Sequence, residues 1–234
     1  MITFHLIRHG QASFGSPDYD RLSPVGEEQA SLLGRHLAAQ GLSCDLALCG
    51  TLRRQADTAR LALEAWPAGA RPPLAATPDL NEYESVAIVR SQVPAMSRVQ
   101  PEVQAILDNR FTNRAAFQKV YETAMFRWIS GRHPAPGVET WEEVRTRVRG
   151  ALNRAAAQAP DHGRVLVFTS GGPIAALAQE AWGLASPVTL RLTWIIWNSA
   201  DSEFTWAPAG WNLKVFNRLA HLEPPPRPGL ITLR

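Results

Sequence analysis

Residues 163–183 read GRVLVFTSGGPIAALAQEAWG. Val165 to Phe168 make an uninterrupted apolar run, short enough for a strand buried on both faces. Thr169 to Gly172 form a glycine-bearing turn, and the residues from Pro173 onward suit a helix. A strand that runs directly into a helix belongs to a crossover unit, and such units build parallel sheets with both faces covered.

The same alternation runs through the amino-terminal third. ITFHLI (residues 2–7) reads as a buried strand, followed by a loop rich in Gly, Ser, Pro and Asp from Gln11 to Leu22. Ser23 suits an N-cap, Pro24 the first helical position, Glu27 and Glu28 the positive end of the helix dipole, and Gly41 the stop. CDLALCG (44–50) is a second short strand. In TLRRQADTARLALEAW (51–66), Leu52, Ala56, Ala59 and Leu63 recur at helical spacing. The Pro-rich stretch 67–85 reads as an irregular loop.

Phe117, Val120, Tyr121, Ala124, Met125, Trp128 and Ile129 then form one apolar stripe, predicting a helix from about Asn113 to Gly131. Thr140 and Glu143 stand in capping-box spacing at the start of another helix that ends before Pro160. LRLTWIIW (190–197), SEFTWAP (202–208) and GWNLKVFNRL (210–219) are rich in β-branched and aromatic residues, and predict strands of a meander at one side of the sheet. The tail PPPRPG (224–229) reads as loose. The expected fold is α/β, one domain over residues 1–234, with a helical insertion between about residues 83 and 139.

Composition narrows the function. The chain has 234 residues, 24 Lys and Arg against 21 Asp and Glu, and a net charge of +3. Its arginines are dispersed rather than gathered on one face, which argues against nucleic acid as a partner. No run approaches the ~20 apolar residues of a membrane span, and no signal-like region opens the chain, so no membrane partner and a cytoplasmic location are expected. Cys44 and Cys49 read as free thiols.

The chemistry gathers at strand ends. In an open α/β sheet, ligands bind beyond the carboxyl edge, where helix N-termini point inward. Arg8 and His9 leave the first strand there, Arg53 and Arg54 follow the second, and the TSGGP turn follows the strand at 165–168. Guanidinium forks match phosphate oxygens and keep their charge. Two of them around one imidazole point to a phosphoryl group, with His9 attacking phosphorus through one ring nitrogen while the other donates to a backbone carbonyl. Glu82 is the candidate acid for the leaving oxygen, with Glu84 the weaker alternative. His5, His36, His162 and His221 lack metal-cluster spacing.

LIRHGQ, LSPVGEEQASLLGRHL, TLRRQADTA, LNE and VLVFTSGGPIAAL, in that order, resemble the successive motifs of the histidine phosphatase superfamily, phosphoglycerate mutase-like branch. The resemblance implies a three-layer α/β/α sandwich and phosphoryl transfer through a phosphohistidine, with no metal and no cofactor. By position it implies His9 as nucleophile and Glu82 as the acid. It implies Arg8 and Arg54 as phosphate ligands, Arg53 as a variable position and Gln11 as a substrate or phosphate contact. The pattern has a second histidine where this chain has Ser170. A serine hydroxyl and the N–H groups of Gly171 and Gly172 still offer donors there, and His133, the loop histidine of the insertion, is the candidate to fill the gap.

The expected activity is hydrolysis of a phosphomonoester, on a small phosphorylated metabolite or a phosphoprotein. A phosphate-binding pseudoenzyme is the alternative, and a mutase-type phosphotransferase is less favoured. If turnover is slow, Ser170→His should raise it, provided there is room for the ring. A homodimer is left open.

Overall fold

The computed structural model describes residues 1–13, 18–109, 112–223 and 229–233. The loose tail expected at 224–229 therefore falls almost wholly outside the described residues, as does part of the 11–22 loop.

In chain order the elements are β1 (Ile2–Arg8), α1 (Pro24–Ala39), β2 (Leu46–Cys49), α2 (Arg53–Glu64), β3 (Leu74–Ala76), α3 (Ser85–Ser97), α4 (Val103–Asp108) and α5 (Arg114–Ile129). They continue with α6 (Trp141–Gln158), β4 (Arg164–Thr169), α7 (Gly171–Trp182), α8 (Ser186–Ile195), β5 (Asp201–Ala207) and β6 (Gly210–Arg218). The six strands form one sheet in the order β3-β2-β4-β1-β5-β6. The first four are mutually parallel, and β5 and β6 close the far side antiparallel, as a hairpin.

Alternation along the strands explains the layers. Phe4, Leu6, Val165 and Val167 pack with residues of α3, α5, α6 and α7. Ile7, Leu166 and Phe168 turn the other way, onto α1 and α2. Each central strand is thus apolar on both sides because each side meets helices. No described helix is long and apolar enough to cross a membrane.

Local signals act as expected at several termini. The Ser23 hydroxyl accepts from Gly26 N, Gly41 follows α1 at a φ of +65°, and Thr140 and Glu143 form a complete capping box on α6. The stripe on α5 buries Val120, Ala124, Met125, Trp128 and Ile129.

Three features correct the sequence reading. Residues 190–195, expected as strand, lie in α8. Pro187 starts that helix, and Thr189 and Thr193, one turn apart, bury their methyls while their hydroxyls bond carbonyls of the preceding turn, Ala185 and Leu190. Packing against α5 and α7 overrides β-propensity, which largely measures fit to a half-buried surface. The Pro-rich loop contributes β3, an exposed edge strand paired to β2. The insertion holds α3 and α4 in addition to α5.

Register sets the site. Arg8 pairs with Thr169 and Cys49 with Phe168, so β1, β2 and β4 end level. His9, Gly50 and Ser170 consequently emerge side by side at the carboxyl edge. A Cβ on Gly10 would lie 2.4 Å from the Gly26 carbonyl oxygen, and one on Gly26 would lie 2.1 Å from that of Gln11. The two glycines let α1 press directly on the exit of β1.

Candidate active site

His9 is held from both ends. Its N–H donates to the Thr169 carbonyl (2.8 Å), and its own carbonyl accepts from Ser199 N and Asn198 Nδ2. The ring Nδ1 lies 2.7 Å from the Gly10 carbonyl oxygen. A carbonyl only accepts, so Nδ1 carries the proton and Nε2 keeps its lone pair. That lone pair receives the Arg54 Nε–H at 3.2 Å. Burial, then the charges of Arg54 and Arg8, hold the imidazole well below its usual pKa, so it is neutral at pH 7.

Arg54 stands in the first turn of α2, where the helix dipole disfavours a cation. The cost is offset by Asp20, whose Oδ1 accepts from Nη1 at 2.6 Å, and by the Tyr19 ring, 5.7 Å from the guanidinium carbon. Asp20 Oδ2 accepts from Arg53 N, so one carboxylate both caps the helix and pairs the arginine. Thr58 Oγ1 donates to the Arg54 carbonyl and accepts from Gly10 N, tying α2 to the β1 exit. Arg53 points outward to Asp18 and Asp57. Arg54, the arginine that the motif resemblance implies, is thus the one against His9.

Arg8 is half-buried and donates through Nη1 to the Ile196 carbonyl. Its charge acts on both His9 and Glu82. The Glu82 carboxylate accepts from Gly172 N at 3.1 and 3.2 Å, at the start of α7. Burial raises its pKa, against the opposing pull of the Gly172 N–H and of Arg54 and Arg8. Glu84 is exposed at the N-cap of α3. Tyr83 packs on Trp128 of α5, with ring centroids 4.9 Å apart, and so joins the insertion to the Glu82 loop.

One expectation at the third strand end needs correcting. The Gly172 N–H, anticipated as an anion donor, is already engaged by Glu82. Ser170 sits at the N-cap position of α7, but its hydroxyl makes no capping bond. It is fully buried and accepts from Gln55 Nε2 at 2.8 Å. Gly171 is buried beside it. The Gln11 amide oxygen accepts from Ser23 Oγ, which directs it toward the α1 cap. His133 lies partly exposed in the loop between α5 and α6, and no described hydrogen bond or ion pair brings it to His9.

Of the remaining histidines, His5 and His221 are built into the frame. His5 pairs with buried Asp201, and the His221 ring bonds Ser199 Oγ while burial lowers its pKa to about 4. Among the described residues no cluster of His, Cys, Asp and Glu could hold a metal ion. Cys44 and Cys49 are unbridged, and burial pushes the Cys44 thiol up to about 12. Asp20, Gln55, Thr58 and Asn198 are the contributors that sequence reasoning missed. Gln55 left a trace as an amide on the inward face of a helix, and Thr58 as a member of the TLRRQADTA motif.

An α/β sandwich with an imidazole, a guanidinium and a carboxyl group gathered beyond its strand ends is what the chain presents. The family description "histidine phosphatase superfamily (branch 1)" matches residues 4–116 and 110–219, and the chain belongs to that superfamily. No curated protein matches it in sequence.

Solved structures of similar fold include a mycobacterial glucosyl-3-phosphoglycerate phosphatase, 19% identical over 92% of this chain and 98% of that one, with a TM-score of 0.62. YhfR of Bacillus stearothermophilus is 15% identical over 94% and 99%, with a TM-score of 0.66. A phosphoserine phosphatase of Entamoeba histolytica is 16% identical over 95% and 100%, with a TM-score of 0.65. Identities this low carry the fold and leave the chemistry to the residues.

Proposed function

We propose that this protein is a phosphomonoester hydrolase that works through a phosphohistidine on His9. The observation that carries the reading is the tautomer. Nδ1–H is committed to the Gly10 carbonyl, so the nucleophilic lone pair is on Nε2, the nitrogen beside Arg54.

The steps follow from the groups present. Arg54 and Arg8 hold the equatorial phosphoryl oxygens while Nε2 attacks in line; the N–P bond forms as the ester P–O bond breaks. Glu82, whose pKa burial raises, gives a proton to the leaving oxygen from its protonated form. The resulting carboxylate takes a proton from water, whose oxygen attacks phosphorus and releases neutral His9 and inorganic phosphate. The two arginines also keep His9 neutral and ready to attack. Two of the named neighbours, a glucosyl-3-phosphoglycerate phosphatase and a phosphoserine phosphatase, carry small phosphorylated metabolites in their names, which favours a small substrate over a phosphoprotein.

The second reading, a binding protein that senses a phosphorylated ligand, is favoured by Ser170, a neutral hydroxyl where the family pattern has an imidazole. Loss of one donor of that kind costs on the order of 3 kcal/mol, about a hundredfold in rate, which slows an enzyme without abolishing it. Release of aryl alcohol from an aryl phosphate by the purified protein, with His9→Ala as control, separates the readings. Equal release from both proteins would defeat the hydrolase.

A further inference from the structure

Gln55 is fully buried one residue beyond Arg54. Its Nε2 donates to Ser170 Oγ at 2.8 Å and to the Leu80 carbonyl at 3.1 Å, which uses both amide hydrogens. The same Leu80 carbonyl accepts from Thr169 Oγ1 at 2.6 Å. Two residues on, Glu82 reaches back to Gly172 N. A closed circuit thus runs from α2 through Ser170 and the start of α7 to Glu82, and back through Leu80 to α2.

Two consequences follow. A hydroxyl that accepts from Gln55 has its own proton left to give, and Ser170 leaves β4 beside the point where His9 leaves β1. The amide also fills space. A Cβ on Gly50 would lie 1.8 Å from Gln55 Oε1, so the side chain lies flat on the β2–α2 turn, with its nitrogen against the hydroxyl of a residue that has no exposed surface. An imidazole at position 170 would have to enter the volume that this amide occupies.

We propose that Gln55 is a positioning residue that acts through Ser170. It aims the serine proton at the phosphoryl group, and it makes positions 55 and 170 a matched pair in which a large residue at one requires a small residue at the other. The donor half of this inference rests on the hydrolase reading above; the steric half does not. It also reverses the simple expectation for Ser170→His, because the room that substitution needs is taken.

The test is a pair of double-mutant cycles on the full chain, read by kcat and KM on an aryl phosphate, by orthovanadate affinity and by melting temperature. Gln55→Met keeps the bulk and removes the donors, so kcat should fall roughly tenfold with KM within about twofold, between the cost of a neutral hydrogen bond and that of an oxyanion donor. Gln55→Met/Ser170→Ala should be no slower than Ser170→Ala alone. Ser170→His should lower both kcat and melting temperature, and Gln55→Ala/Ser170→His should recover at least about tenfold of that kcat and most of the melting temperature. Additive effects in both cycles, or a faster enzyme from Ser170→His with Gln55 intact, would overturn the proposal. If His9→Ala leaves turnover unchanged, the hydrolase reading falls by itself. The pairing is then judged from vanadate affinity and melting temperature, where non-additivity sustains it and additivity overturns it.

Discussion

Arg54 Nε donates to His9 Nε2 across 3.2 Å, so the proposed nucleophile and its neighbouring cation are already in contact. On the proposed mechanism, a phosphoryl group arriving at Nε2 would take over this bond. The guanidinium then changes partner rather than position, which keeps reorganisation small during the reaction.

Arg54→Ala should therefore lower kcat by roughly a hundredfold to a thousandfold, as loss of an electrostatic donor does elsewhere. Arg54→Lys should rescue little, because a lysine has a single ammonium and no fork to reach His9 and Asp20 together. Steady-state kinetics on an aryl phosphate checks both, and recovery by lysine to within a few-fold would argue that charge alone matters.

The pH profile has a defined sense. The proposed mechanism requires a neutral His9 and a protonated Glu82, and their pKa values move apart in those directions, His9 down and Glu82 up. Activity should hold to pH values below the ordinary histidine range and fall on the alkaline side as Glu82 ionises. Glu82→Gln should remove that alkaline limb along with most of the turnover.

Stability follows the same groups. A raised Glu82 pKa favours the fold below the ordinary carboxylate value of 4.5, and that contribution is lost as pH rises through the folded pKa. Glu82→Gln should consequently raise the melting temperature at pH 7 and leave it nearly unchanged at pH 4. The depressed His9 pKa works oppositely: its contribution is present above 6.5 and disappears as pH falls through the folded value. Melting curves at the two pH values decide the matter.

Gly172→Ala should harm activity and folding together. The added Cβ would sit 2.0 Å from Glu82 Oε1 and 2.7 Å from the Tyr83 ring, so the acid must move. A loss of at least about tenfold in kcat and about 1–3 kcal/mol in stability is expected. Wild-type kinetics in this variant would show that the position of Glu82 is not critical.

Arg147 anchors the loop behind the acid. It pairs with Glu139 through Nε and Nη2, and its Nη1 donates to the carbonyls of Asp79 and Asn81 at 2.7 and 2.8 Å. Arg147→Met should destabilise by about 2–4 kcal/mol, since it leaves two carbonyls and a partly buried carboxylate without their donor. Chemical denaturation measures this directly, and a change below about 0.5 kcal/mol would mean that the loop holds itself.

Sequence alone determined the layered sheet, the caps on α1 and α6, and the histidine, arginine and glutamate expected beyond its strand ends. Those depend on local spacing, on cap chemistry and on short apolar runs, all of which act within a few residues. Tertiary structure decided that residues 190–195 coil into α8, that Glu82 occupies the Gly172 N–H and that Gln55 takes Ser170. Each of these rests on partners distant in the chain, such as Gln55 and Ser170, 115 positions apart. Only the register of β1, β2 and β4 brings such groups within a hydrogen bond's length, and no local propensity encodes that register.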